Sequence, residues 1–322
     1  MKDCGIDADK LPEIVPCTEV LGRPPGARGH RALKEDTIGE MMRLSNERIT
    51  VRAKEHQRMR FVDAHLHTDM IEDIQLQKLV MMGMEAAVIP SPHMFLGSHD
   101  ADAVLLLWER FLTLEANTAK TLGFEAYASL SVPFFGVTAK DAEKCLEKLP
   151  DFLKHERVVA MGEIGLDCGT QFEIDLFREH LRIAKAHDLP VILHTPIRLA
   201  PQGPTITPRI LEIITEEGFP VEKCVFDHAG EETMDFRMTT GGMVGLSICW
   251  DKMPPEAAAR YVIDHPGERD RLIINSELGG QGNDYFMVPR VMLAMRLMGL
   301  DKGTIDEVCY QTPKDFFKLP IE

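Results

Sequence analysis

A chain of 322 residues with 44% apolar and 27% charged side chains can bury a full core, as one large α/β barrel or two smaller domains. A formal charge of −15 argues against a surface that grips nucleic acid through lysine and arginine, although bound metals can still neutralise a phosphate locally. Seven scattered cysteines without a Cys-x-x-Cys pair argue against a disulfide framework or zinc finger, and the absence of a signal-peptide core or a membrane-length apolar run makes cytoplasm the expected location, with no membrane partner.

Residues 1–36, with Pro12, Pro16, Pro24 and Pro25 and few large apolar side chains, are expected to be irregular. From Thr37 to about Gln57, Ile38, Met41, Met42, Ile49 and Ala53 recur at helical spacing. They predict an amphipathic helix that braces the main body or packs on a partner subunit, which is compatible with a homo-oligomer. The organisation expected is an N-terminal extension over 1–60 followed by one domain over 61–322.

Beyond residue 60, short β-branched runs alternate with helical stretches. The expected strands are Arg60–His65, Ala86–Pro90, Phe124–Ser131, Val158–Gly162, Val191–His194, Cys224–His228, Met243–Ile248 and Leu272–Ser276, with helices such as Glu173–His187 and Pro208–Glu217 between them. This pattern predicts an α/β fold of the (β/α)8 TIM-barrel type. A doubly wound open sheet is the alternative, but it calls for a glycine-rich phosphate turn after its first strand, where this chain has His67-Thr68-Asp69-Met70.

Functional groups of such a barrel collect at the carboxyl ends of its strands. The first strand ends in Asp63-Ala-His65-Leu-His67, whose alternation places all three polar residues on one face and makes the two imidazoles a pincer for a divalent cation. The fourth ends in Met161-Gly-Glu163-Ile-Gly-Leu-Asp167, the fifth in His194, the sixth in Asp227-His228 and the eighth in Asn275-Ser276-Glu277. Any one of these residues alone reads as a cap or a solvated loop group. Their recurrence at five strand ends predicts a metal centre.

These local sequences, over roughly residues 61–319, resemble the TatD-type metal-dependent hydrolases of the amidohydrolase superfamily. The resemblance implies that His65 and His67 hold one cation, His194 and His228 a second, and that Glu163 bridges them. That family closes its site with an aspartate in a Glu-Thr-Asp context. Here Glu277 is the matching carboxylate, one methylene longer, and by the resemblance it is expected among the metal ligands as well. Asp63 falls at a motif position expected to support the ligands from behind.

Imidazole and carboxylate donors without thiolate suit two divalent metal ions, zinc foremost, with manganese, iron, nickel or magnesium also compatible. Such ions acidify a water, and Glu277 is the expected general base, with His228 stabilising developing charge and Asp167 orienting a neighbouring ligand. Among the loops that set specificity, Arg198 is expected to clamp an anionic group and His93 to face substrate, while the glycine-rich run after Gly279 suits a lid. The acidic charge and the Pro-rich loop after His194 favour a small-molecule amide, lactone or cyclic C–N bond as substrate. A TatD-like deoxyribonuclease or phosphoesterase is the alternative, with nucleic acid the less favoured partner.

Overall fold

The computed structural model describes residues 14–16, 31–33, 59–91, 100–196, 201–249, 252–279 and 284–321. The chain divides into two compact units, Met1–Arg58 and Met59–Glu322. In the first, Ile14–Pro16 pairs antiparallel with Arg31–Leu33, so the stretch expected to be irregular contains a short pair of strands. The helix expected over 37–57 lies outside the described residues.

The second unit is an eight-stranded parallel sheet whose order follows the chain. Its strands are β1 (Phe61–Asp63), β2 (Met84–Pro90), β3 (Glu125–Leu130), β4 (Val158–Gly165), β5 (Val191–His194), β6 (Cys224–Phe226), β7 (Met243–Ser247) and β8 (Leu272–Asn275). The main helices between them are α1 (Asp73–Met82), α2 (Ala101–Arg110), α3 (Ala116–Leu122), α4 (Ala139–Phe152), α5 (Gln171–Ala186), α6 (Gly203–Glu216), α7 (Met234–Thr239) and α8 (Pro255–Asp264). The sheet closes just beyond its named ends, where Glu277 N–H donates to the His65 carbonyl and His67 N–H to the Leu278 carbonyl, both at 2.9 Å. This is a (β/α)8 barrel, and its closure sets Glu277 directly beside the first metal-ligand candidates.

Sequence explains the boundaries locally. Asp100, Thr138 and Thr170 each cap a helix by accepting a backbone N–H three residues on. At α5 the Glu173 carboxylate also accepts N–H bonds from Asp167, Cys168 and Gly169 at 2.8–2.9 Å, which fixes the turn that follows β4. Strand β4 runs three residues further than expected, through a shift in register between Met161 and Ile164 that turns Glu163 into the barrel mouth. Gly162 is required there, because a Cβ would lie 2.8 Å from both the Cβ and the carbonyl of Ile192.

Apolar side chains fill the two remaining spaces. One core lies between sheet and helices, with Trp108, Phe177, Leu181 and Ile210 fully buried. A second fills the barrel's lower interior, where Val62, Val88, Ile192, Val225 and Ile273 meet Tyr310, Phe317 and Leu319 from the end of the chain. Beside that plug, the Arg60 guanidinium lies 3.7 Å over the Tyr310 ring and pairs with Asp306. The lower end is thereby packed shut, leaving the upper mouth for chemistry.

Candidate metal centre

Five strand ends deliver their side chains to one buried point. Glu163 is the hub. Its Oε1 lies 2.8 Å from His65 Nε2 and 3.8 Å from His67 Nε2. Its Oε2 lies 3.1 Å from His194 Nδ1 and 4.0 Å from His228 Nε2. One carboxylate thus faces two histidine pairs with separate oxygens. The resulting clusters, His65/His67/Glu163 and Glu163/His194/His228, each bring their candidate ligand atoms within 4.8 Å of one another.

Hydrogen bonds behind the rings determine which nitrogen faces inward. His65 Nδ1 lies 2.6 Å from Asp227 Oδ2, and His228 Nδ1–H donates to the Thr195 carbonyl at 2.9 Å. Both Nε2 atoms therefore present lone pairs to the centre, and that of His228 is buried with no hydrogen-bond partner among the described residues. His65 Nε2 and His67 Nε2 approach to 3.2 Å beside the Glu163 carboxylate. Lone pairs converging on a buried anion fit a divalent cation, which would be held by His65, His67 and Glu163 on one side and by Glu163, His194 and His228 on the other.

The electrostatics show the same demand for positive charge. Burial resists charging the His65 ring, yet the carboxylates of Glu163 and Asp227 outweigh it and raise its pKa well above the usual value. At His194 burial is likewise overcome, by Asp167 and Glu163, which raise the ring to about 9. His67 moves the other way, to about 4, through burial and the neighbouring His65 charge. Burial alone would raise Glu163, but His65, His194 and His228 pull its carboxyl well below the ordinary range.

Glu277 lies at the edge of the second cluster, its Oε1 3.5 Å from His228 Nε2 and its Oε2 ion-paired with Lys252. Burial raises this carboxyl, and the charges of His228 and Lys252 more than reverse the effect. Both His228 and Glu277 hold left-handed backbone angles, φ +62° and +46°, which non-glycine residues adopt only where the surroundings enforce them. Asp167 lies 3.5 Å from His194 Nε2 and is partly exposed. Asp63 is fully buried, and its Oδ1 accepts from the N–H groups of Ser276 (3.0 Å) and His65 (3.4 Å). Burial lifts its carboxyl to about 6. His93 and Arg198 lie outside the described residues, as does most of the glycine-rich loop after Gly279.

The profile of the TatD related DNase family matches residues 62–317. The chain belongs to that family. A TatD-family assignment agrees with 31% identity over 259 residues, 80% of this chain and 100% of the relative, to an uncharacterized metal-dependent hydrolase of Methanocaldococcus jannaschii. The uncharacterized metal-dependent hydrolase YjjV of Escherichia coli is 33% identical over 148 residues, covering 42% of this chain and 51% of its own length. Two solved structures share the fold. The TatD-like protein of Archaeoglobus fulgidus superposes with a TM-score of 0.65 at 24% identity, over 80% of this chain and 100% of its own. The phosphotriesterase homology protein of Escherichia coli, complexed with phosphate in its active site, gives 0.58 at 15% identity, over 81% and 99%. This TatD protein is a metal-dependent hydrolase.

Three residues that the sequence reading did not single out adjoin the cluster. Asp227 was visible as the residue before His228, but strand alternation points neighbouring side chains to opposite faces. The left-handed turn at His228 breaks that alternation, so both reach the centre. Lys252 carries no motif and lies after β7, where only the fold brings it to Glu277. Arg237 on α7 is fully buried and donates to the carbonyls of Asp227 (2.7 Å) and His228 (3.3 Å) and to Thr195 Oγ1 (2.7 Å).

Proposed function

We propose that this protein is a phosphoester hydrolase. The observation that carries this is Lys252: its ammonium is nearly fully buried and lies against Glu277 at the edge of the metal-ligand cluster. A fixed cation there complements the anionic oxygens that a phosphoester carries already in its ground state, whereas an amide or lactone offers such a charge only in its tetrahedral intermediate. The family's DNase description and the phosphate held by the phosphotriesterase homology protein point in the same direction. The order of the two substrate readings drawn from sequence is thereby reversed. The charge of −15 still favours a short or small phosphoester over a long nucleic acid.

In this reading His65, His67, Glu163, His194 and His228 are the metal ligands, with Glu163 shared between the two sides and residues 61–322 forming the catalytic domain. Bound divalent ions supply Lewis acidity and a water of lowered pKa. Glu277 takes the proton of the attacking water at Oε1, the oxygen facing His228, while its Oε2 stays on Lys252. Asp167 holds the His194 ring from its outer nitrogen, and Asp63 ties the His65 and Ser276 backbones together behind the site. Arg198 and His93 remain the proposed substrate contacts from the loops.

The test is a direct comparison of substrates. Metal-supplemented protein is assayed on bis-(p-nitrophenyl) phosphate, on a short end-labelled single-stranded DNA and on a panel of amides and lactones, with Glu163→Ala as control. Phosphoester cleavage that disappears in the control is expected. Turnover confined to amides or lactones would restore the small-molecule C–N or ester reading.

A further inference from the structure

Asp227 lies at the centre of a buried network that no ligand motif describes. Its Oδ1 accepts from His228 N–H (3.0 Å), Ser247 Oγ–H (2.8 Å) and Asn275 Nδ2–H (2.9 Å), while Oδ2 accepts from His65 Nδ1–H at 2.6 Å. The surrounding backbone is equally committed, because Thr195 Oγ1 and Arg237 both donate to the Asp227 carbonyl. Gly245 makes the room: a Cβ there would lie 2.2 Å from Asp227 Oδ1.

His65, Asp227 and His228 also form a cluster whose donor atoms lie within 4.8 Å of one another, so Asp227 is a candidate ligand in its own right. The hydrogen bonds decide against that role. Three donors occupy Oδ1, and the contact of Oδ2 with His65 is too short to admit a cation between them.

We infer that Asp227 is a positioning residue that fixes the tautomer of His65, holding the proton on Nδ1 so that the Nε2 lone pair points at Glu163 and the metal. The same carboxylate anchors the backbone of His228, so one residue aligns ligands on both sides of the centre. This rests on the metal centre proposed above and not on which bond is cut.

The geometry gives an unusual order of variants. In Asp227→Asn the three donors keep the amide oxygen at the Oδ1 position, which leaves the NH2 facing His65 Nδ1. A donor opposite a donor drives the ring to the other tautomer, and the proton then caps Nε2, as the wrong tautomer does when a carboxylate behind a catalytic histidine becomes an amide. Asp227→Ala removes the hub but leaves Nδ1–H free to bond water. Asn should therefore damage metal binding more than Ala, although Ala should damage the fold more.

The experiment measures zinc affinity by chelator competition and metal-free melting temperature for wild type, Asp227→Asn, Asp227→Ala and Gly245→Ala. The expected result is an affinity loss of about 100-fold for Asn and about 10-fold for Ala, with the melting temperatures in the opposite order. Gly245→Ala, which displaces the carboxylate without deleting it, also weakens zinc, and it serves if the Ala variant fails to fold. Ring 15N shifts report the tautomer directly: Nδ1–H in zinc-loaded wild type, Nε2–H in neutral Asp227→Asn. Wild-type affinity in Asp227→Asn, Nδ1–H retained in that variant, or a larger zinc loss in Ala than in Asn overturns the inference. Failure of wild type itself to bind zinc, manganese or iron would instead remove the metal centre.

Discussion

The two ends of the barrel are built on opposite principles. At the lower end Tyr310, Phe317 and Leu319 plug an interior lined by valine and isoleucine, and stability there comes from area removed from water. At the upper end His65, Glu163, Asp227, His228 and Asn275 are just as buried but polar, so their cost is offset only through hydrogen bonds and charge. The floor tolerates a change of shape at a cost in stability. The mouth tolerates almost no change in donor and acceptor pattern, because each nitrogen's orientation depends on the group behind it. Stability and chemistry should therefore separate by position.

The largest expected effect is at the hub. Glu163→Ala removes the carboxylate shared by both histidine pairs and should lower kcat/KM at least about 1000-fold, with bound metal falling in parallel by elemental analysis. Circular dichroism should remain that of a folded barrel; loss of the fold would show that the mouth also carries stability. At the other end, Phe317→Ala should cost about 3–5 kcal/mol in denaturant unfolding while leaving turnover at low temperature close to wild type. A selective loss of activity there would end the proposed separation.

A pH experiment sharpens the same contrast away from the centre. His180 on α5 is buried, accepts Val132 N–H at Nε2 (3.0 Å), and burial lowers its pKa to about 3. The unfolded chain binds a proton on this ring below about pH 6.5, and the folded chain does so only near 3. The neutral ring's advantage is thus complete above about 6.5 and is lost as pH falls through that window, at up to about 1.4 kcal/mol per unit. Melting of wild type against His180→Gln from pH 7 to 5 should show the wild type losing ground steadily. Parallel curves would count against a neutral buried ring.

Two smaller effects test the rim. Lys252→Met should raise KM for a phosphodiester about 10-fold or more, with partial rescue by Lys252→Arg, since a lost charge-assisted contact costs about 1.5–3 kcal/mol. A pure fall in kcat would assign Lys252 to Glu277 alone. Asp167→Asn should lower zinc affinity only about 3-fold, because its contact with His194 is long and partly exposed.

Much of this was legible along the chain. Most strands announced themselves by a short apolar run, and ligand candidates recur at strand ends because an alternating pattern such as Asp63-x-His65-x-His67 is local in sequence. The carry-through of β4 past Glu163 was not legible, since it depends on Ile192 and Ser129 pressing against Gly162 from neighbouring strands. Nothing in the sequence marks Gly245, and its purpose is to leave room for the Asp227 carboxylate on the neighbouring strand.

Sequence by itself determined the parts: the α/β periodicity and the donor types, with a glutamate at 277 among them. Tertiary structure alone decided the connections, namely Asp227 behind His65, Thr195 behind His228 and Lys252 against Glu277. The physical reason is range. Periodicity and donor chemistry are properties of neighbouring residues, whereas the orientation of a buried imidazole is set by hydrogen-bond partners that are 162 residues away for His65 and 33 for His228.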